Sequence, residues 1–391
     1  MTSESRNLIA TYLIEFFGQT SWSSVNLVLP LYTSATFHAS AVEIGLVMST
    51  AFAMAMILRV PASLLIGKSG KYVFFSGLAL SAIAPLIYTR AYDVQLVLAV
   101  RVLQGLGAAI LPPIMLSLIS LMSSPQSRGR DIGRYTTAVP LGMIAGSAVT
   151  AVVIAAYGMS ETFIVNTAIG FVALVPALIF LARSSAWASL KRPTHSSLMP
   201  MLTKKPLLGS FSAFFLFAIL YSVILSYLPL YLSEKFSAPA STVIAVFTAY
   251  FAFMAAVRVF LNRLMSALDK RILLMLGFAC AIAAVTVLFL TSNLLLVALA
   301  FLVLGFCHGI VYPTSAIIVS ETVRPADLTF VNSVLATCFD LGATLGPITT
   351  GLIAESYGIA SALLSTSLTS FVAILVVHKT LKTGSFPLNL A

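Results

Sequence analysis

Apolar runs follow one another from residue 8 to residue 379, parted by short polar turns. Each is close to the roughly 20 residues that a helix needs to cross a bilayer. Strand-like alternation is absent, and Leu, Ala, Phe and Met dominate, so helices are expected rather than a barrel. Twelve spans are predicted, at 8–31, 40–66, 72–90, 93–122, 132–156, 161–183, 206–233, 239–266, 271–290, 294–320, 328–354 and 358–379. The expected fold class is an all-α membrane protein of twelve transmembrane helices.

The pattern repeats itself. Leu29-Pro30-Leu31-Tyr32 returns as Leu228-Pro229-Leu230-Tyr231, and Arg59-Val60 returns as Arg258-Val259, both shifted by 199. Gly105, Pro113, Gly142, Gly146 and Tyr157-Gly158 return as Gly305, Pro313, Gly342, Gly346 and Tyr357-Gly358, shifted by 200. Parallel halves of this kind point to a transporter built from two pseudo-symmetric six-helix bundles. The expected organisation is a bundle over 1–183, a polar linker over 184–205 and a second bundle over 206–391. In the linker, Trp187 and Leu190 are expected to form a short interfacial helix.

Composition and charge sharpen this picture. The chain is 59% hydrophobic and 9% charged, against roughly a quarter charged in soluble domains. A net charge of +10 would suit nucleic acid, but its placement argues for a lipid bilayer instead. Seventeen of the 22 Lys and Arg fall in tails, loops or helix ends on one face, and only Arg90 and Lys235 lie on the other. Arg59, Arg101 and Arg258 sit within spans. By the positive-inside rule both termini and the linker are cytoplasmic, in the cell (inner) membrane. Residues 1–7 are too short and polar for a signal peptide, and the first span reads as an uncleaved helix. Cys280, Cys307 and Cys338 lie within spans without metal-ligand spacing, so no metal or cofactor is expected. No nucleophile–base cluster, HExxH or phosphate loop appears, which argues against an enzyme.

In the fourth span, Arg101-Val-Leu-Gln104-Gly105-Leu-Gly107 resembles the R-x-x-Q-G-x-G motif of the major facilitator superfamily. The resemblance covers about 370 residues through span count, division and linker. It implies the major facilitator fold, a functional monomer, and a role for Arg101 in proton coupling. Spans 1, 4, 7 and 10 line the central cavity in that fold. After the second span, Lys68, Gly70 and Lys71 resemble the family's gating motif, but Gly67 stands at its acidic position and Ser63 at its leading glycine. The counterpart near Asp269-Lys270-Arg271 is weaker still. In the fifth span, Gly133, Gly142 and Gly146 resemble the antiporter motif, with Ser147 where proline is expected; Gly342, Gly346 and Pro347 carry the complementary half in span eleven. Small residues at this spacing also serve generic close packing of helices.

Ionisable groups inside spans cost at least ~2.5–3.5 kcal/mol, so each needs a partner or a wet cavity. Glu15, Gln19, Trp22 and Asn26 fall on one face of the first span, a polar stripe. Glu15 and Asp340, of span eleven, are the candidate proton carriers, with Arg101 and His308 as coupling partners. Glu15 could instead pair with a basic neighbour, Arg101 with helix-end carbonyls, and Asp340 with Arg258. Arg59 and Arg258 could both simply snorkel to the interface. Gln104, Tyr221, Tyr227 and Tyr312 join Gln19, Trp22 and Asn26 as candidate cavity residues, and Tyr250 is a further aromatic of interest. The expected function is secondary active transport of a small-molecule solute, with proton-coupled efflux by alternating access as the first reading. The alternative is a proton symporter or uniporter importing a sugar or organic acid.

Overall fold

The computed structural model describes residues 3–64, 69–124, 126–189, 202–323 and 328–381. All regular elements among them are helices. The first half holds α1 (Ser3–Phe37), α2 (Ala41–Leu64), α3 (Gly70–Tyr88), α4 (Val94–Met122), α5 (Arg128–Ala156) and α6 (Met159–Pro176). The second holds α7 (Lys205–Phe236), α8 (Ala240–Val259), α9 (Lys270–Leu290) and α10 (Leu294–Thr322). A final stretch, Leu328–Thr380, is broken at Gly358 (φ 83°, ψ 158°) into two limbs, α11 (328–357) and α12 (359–380). These are the twelve expected spans.

Among the described residues, ten helical stretches are long and apolar enough to span a membrane, the broken one counted once. The exception is α1, 35 residues long. Its run from Gln19 to Ser24 lowers its hydropathy, which is what a helix with one wet or polar-packed face should show. The eighth span differs from expectation: its helix stops at Val259, and a separate short helix, Leu261–Ala267, follows a break at Phe260. The sixth continues past Pro176 as a π-helical turn, Ala177–Leu181. Proline removes a backbone donor there, a common origin of such distortions. Trp187, in the short helix Ala186–Ser189, donates Nε1 to the Leu181 carbonyl at 2.6 Å and packs on Phe74. Leu190 lies outside the described residues.

The helix ends follow from local chemistry. Asp93, Asp269 and Asn293 cap α4, α9 and α10 by accepting from Leu96, Arg271 and Leu295 backbone N–H groups, each at 2.8 Å. Ser40 and Glu43 form a reciprocal capping box before α2. The chain's left-handed positions obey the repeat: His38 (φ 51°) matches Ser237 (φ 48°), and Gly158 (φ 113°) matches Gly358 (φ 83°). The halves therefore share their turns as well as their sequence pattern.

Two compact units emerge: Met1–Thr194 with Ala238–Thr248, and His195–Ser237 with Ala249–Ala391. Within the first, α1 packs on α5 and α6, and α4 on α2 and α3. Glycines set the closest approaches. A Cβ on Gly142 would meet the Phe16 carbonyl at 2.6 Å, and one on Gly146 would overlap Ser23 Oγ and the Thr20 carbonyl. In the second unit, Gly342 and Gly346 of α11 stand in the same relation to Phe215, Ile219 and Ser222 of α7. Gly105 and Gly305 bring α4 against Ala51 and α10 against Tyr250 in the same way. The tyrosines that end matching spans also correspond: Tyr32 donates to the Tyr88 carbonyl at 3.3 Å, and Tyr231 to the Leu288 carbonyl at 3.0 Å.

Candidate functional site

In the first unit the candidate residues converge on Arg101. Its side chain is 0% exposed. Nε donates to the Val47 carbonyl at 2.9 Å, and Nη2 to the Met48 carbonyl at 3.1 Å. Nη2 also donates to Asn26 Oδ1 at 3.0 Å, and Nη1 to Gln104 Oε1 at 3.0 Å. Tyr88 donates to the same Gln104 oxygen at 2.6 Å, and Asn26 Nδ2 donates to the Trp22 carbonyl. The Trp22 ring lies 5.6 Å from the guanidinium carbon. Three helices, α1, α2 and α4, thus supply a cage of neutral acceptors around one cation, and Tyr88 of α3 braces it through Gln104. The charge is dispersed over dipoles rather than neutralised by an acid, and four donated bonds hold the side chain in place.

Glu15 lies elsewhere on α1. Eleven residues separate it from Asn26, or about 16 Å along a helix axis. Its Oε1 accepts from Gln19 Nε2 at 2.9 Å, and Tyr135 of α5 is a second hydrogen-bonding neighbour. Among the described residues it has no basic partner within ion-pair distance, so the expected alternative of a salt bridge is not what the structure holds. The polar stripe of α1 is therefore divided: Trp22 and Asn26 belong to the Arg101 cage, while Glu15 and Gln19 form a pair of their own.

The second unit gathers a different constellation. His308 of α10, 6% exposed, shares a 2.9 Å hydrogen bond between Nδ1 and the Tyr250 hydroxyl of α8. The Tyr221 ring lies 4.8 Å from the imidazole, and Phe217 5.2 Å. Phe214, on α7, stacks on Tyr312 at 5.1 Å and meets Phe339 of α11 at 5.0 Å. Arg258 stands beside this cluster with its guanidinium carbon 5.9 Å from the Tyr312 ring. Its Nε is buried without a hydrogen-bond partner. Arg258 forms no ion pair with Asp340, so the expected bridge between α8 and α11 does not form in this structure. Asp340 is 4% exposed, and Thr344 donates to its backbone carbonyl at 2.7 Å. Tyr227 stands apart: it is fully buried and donates to the Pro347 carbonyl at 2.8 Å, tying α7 to the proline of α11.

Of the gating residues, Lys68 lies outside the described residues. Gly70 begins α3 and is buried, with half-buried Lys71 beside it. The second-half counterpart is the more structured one. Lys270 bonds both carboxylate oxygens of Glu321 at 2.8 Å, joining the start of α9 to the end of α10. Sequence reasoning missed Glu321, and it missed Tyr88, Tyr135, Phe214, Phe217 and Phe339 as site neighbours. Repeat alignment carried one signal: Phe214 stands 199 positions after Glu15 and occupies its place on α7.

The sequence model of the Major Facilitator Superfamily matches residues 11–238 and 211–385, nearly the whole chain. The chain belongs to that superfamily. It is therefore a transporter and an integral membrane protein. A bacterial homologue of the human lysosomal transporter Spinster, solved inward-facing and occupied, superposes with a TM-score of 0.81 at 16% identity, covering 97% of this chain and 98% of that one. At that identity the likeness shows the fold alone. An uncharacterised transporter of Escherichia coli, YebQ, is 26% identical over 192 residues, 48% of this chain and 42% of that protein. The methylenomycin A resistance protein of Bacillus subtilis is 29% identical over 114 residues, 29% and 24% of the two chains. A multidrug resistance protein B homologue of Mycobacterium tuberculosis is 31% identical over 116 residues, 30% and 20%. The matched part is less than half of each relative's length.

Proposed function

We propose that this major facilitator protein exports a small amphipathic organic solute in exchange for protons, by alternating access. The observation that carries the reading is Glu15: a carboxyl group within a membrane span, held by a neutral amide and a phenol, with no basic partner within ion-pair distance among the described residues. In such surroundings the charged and neutral forms differ greatly in cost, so gaining or losing a proton changes the energy of whichever state exposes the group. Asp340 is a second buried acid within a span, and the aromatic walls of α7 and α10 suit a partly apolar cargo. Resistance proteins among the relatives support the outward direction. The charge asymmetry supports cytoplasmic termini in the cell membrane, and the family resemblance supports a functional monomer and a two-bundle organisation joined by the 184–205 linker.

The test is reconstitution into proteoliposomes with a pH-reporting dye trapped inside. Adding a transported solute should move protons opposite to the solute, and an imposed pH gradient should drive solute against its own gradient. Protons moving in the same direction as the solute would establish the symport alternative. Solute movement indifferent to pH would leave a uniporter.

A further inference from the structure

The two intramembrane arginines with defined surroundings are treated in opposite ways. Arg101 is sealed by four donated hydrogen bonds. Among the described residues Arg258 donates none and forms no ion pair, although its Nε is buried. Its neighbours are the phenols of Tyr312, Tyr250 and Tyr221, the last two packed in turn on His308. Arg258 is half-buried: its Nε is enclosed without a partner while its terminal nitrogens stay open, beside the Tyr312 ring. A guanidinium in a membrane span without a counter-charge is costly to keep. Its planar fork matches a carboxylate in two-point geometry. Beside it the stacked pair Phe214 and Tyr312 offers a surface for a flat apolar ring.

We infer that Arg258, Tyr221, Tyr250 and Tyr312, with His308 and Phe214 alongside, form an anion-recognition subsite whose ligand is an aromatic carboxylate. The carboxylate supplies the counter-charge that Arg258 lacks, the phenol hydroxyls donate to its remaining lone pairs, and the ring lies on the aromatic wall. The inference rests on the transporter reading only in treating this ligand as cargo; the binding site itself does not depend on the direction or coupling of transport.

The experiment uses three probes of equal shape and different charge: 2-naphthoate, 2-naphthylmethanol and 2-naphthylmethylammonium. Their affinities are measured on the full-length purified protein by thermal shift and by tryptophan fluorescence. The wild type should bind the carboxylate about tenfold more tightly than either other probe, the scale of one charge-assisted pair. Arg258→Gln should erase that preference and leave the neutral alcohol's affinity unchanged, and Arg258→Lys should keep part of it. Equal affinity for all three probes, preference for the ammonium, failure to bind the carboxylate, or a preference that survives Arg258→Gln each overturns the inference. The wild-type comparison decides the matter even where the glutamine variant fails to fold. The exporter reading fails separately: carboxylate preference without solute-driven proton movement leaves this site standing and removes antiport. Proton exchange confined to the alcohol or the ammonium does the reverse.

Discussion

Arg101 of α4 donates to Asn26 of α1 through Nη2 at 3.0 Å, and so one buried cation ties two helices that are distant in sequence. The repeat equivalent of Asn26 is Leu225, and that of Arg101 is Phe301, so this polar layer belongs to one half only. Arg101→Ala removes four bonds, while Gln104 Oε1 keeps the bond it accepts from Tyr88. At about 0.6 kcal/mol for an average bond between membrane helices, the loss should come to about 2–3 kcal/mol. Asn26→Leu, which copies the second half, should cost about 1 kcal/mol. Reversible unfolding in mixed micelles reads both values. Equal stability of Arg101→Ala and wild type would show that the cage does not hold the bundle.

The glycines of the antiporter-like motif separate into two classes. Nothing lies within 4 Å of where a Cβ on Gly133 would stand, whereas Gly142 and Gly342 have backbone oxygens of the neighbouring helix in that space. Gly133→Ala should therefore be neutral or stabilising, by up to about 1 kcal/mol from helix propensity alone. Gly142→Ala and Gly342→Ala must push α1 from α5 and α7 from α11, at about 1–3 kcal/mol each. Melting temperatures of the three variants in one detergent decide it. A uniform response would mean that the motif acts through something other than contact.

How much of this could be read in advance depends on how local the cause was. The twelve spans were legible because each apolar run carries its own signal. So were Gly142, Gly146, Gly342 and Gly346, because small residues at helical spacing declare a close crossing. The sequence also marked Arg101 and Asn26, but not that they meet, nor that Val47 and Met48 contribute only carbonyls. Any residue has a carbonyl, so that role depends on how α2 and α4 pack and leaves no trace in side-chain identity. Phe214 and Phe339 stayed hidden for a related reason: in a lipid-spanning helix a phenylalanine facing inward looks the same as one facing lipid. Lys270 and Glu321 are 51 residues apart, and only the packing of α9 on α10 brings their charges together.

That pair gives a prediction of its own. Lys270 and Glu321 meet where α9 begins and α10 ends, with side chains 13% and 38% exposed. Water and salt screen such pairs, and exposed ones usually contribute about 0.2–1 kcal/mol. Lys270→Glu should destabilise by setting two carboxylates together, and the charge-swapped double variant Lys270→Glu/Glu321→Lys should recover most of the loss. A double-mutant cycle run at low and high salt measures the coupling. Coupling above about 1 kcal/mol, unchanged by salt, would exclude the screened-pair description.

Glu15→Gln separates structure from coupling. The amide oxygen of glutamine can accept from Gln19 in place of Oε1, so the contact now 2.9 Å long survives. Stability should therefore change by less than about 1 kcal/mol. What the variant loses is the proton: an amide does not titrate between the two faces of a transport cycle. Solute counterflow, which needs only alternating access, should persist at near wild-type rates. Uptake driven by a pH gradient should fall to the level seen without a gradient, and its pH dependence should flatten. The two assays, run on the same vesicles, test the assignment directly. Retained gradient-driven uptake in Glu15→Gln would move the proton site to Asp340, where Asp340→Asn should then produce the same split. Loss of counterflow together with coupling would instead make Glu15 part of the solute path.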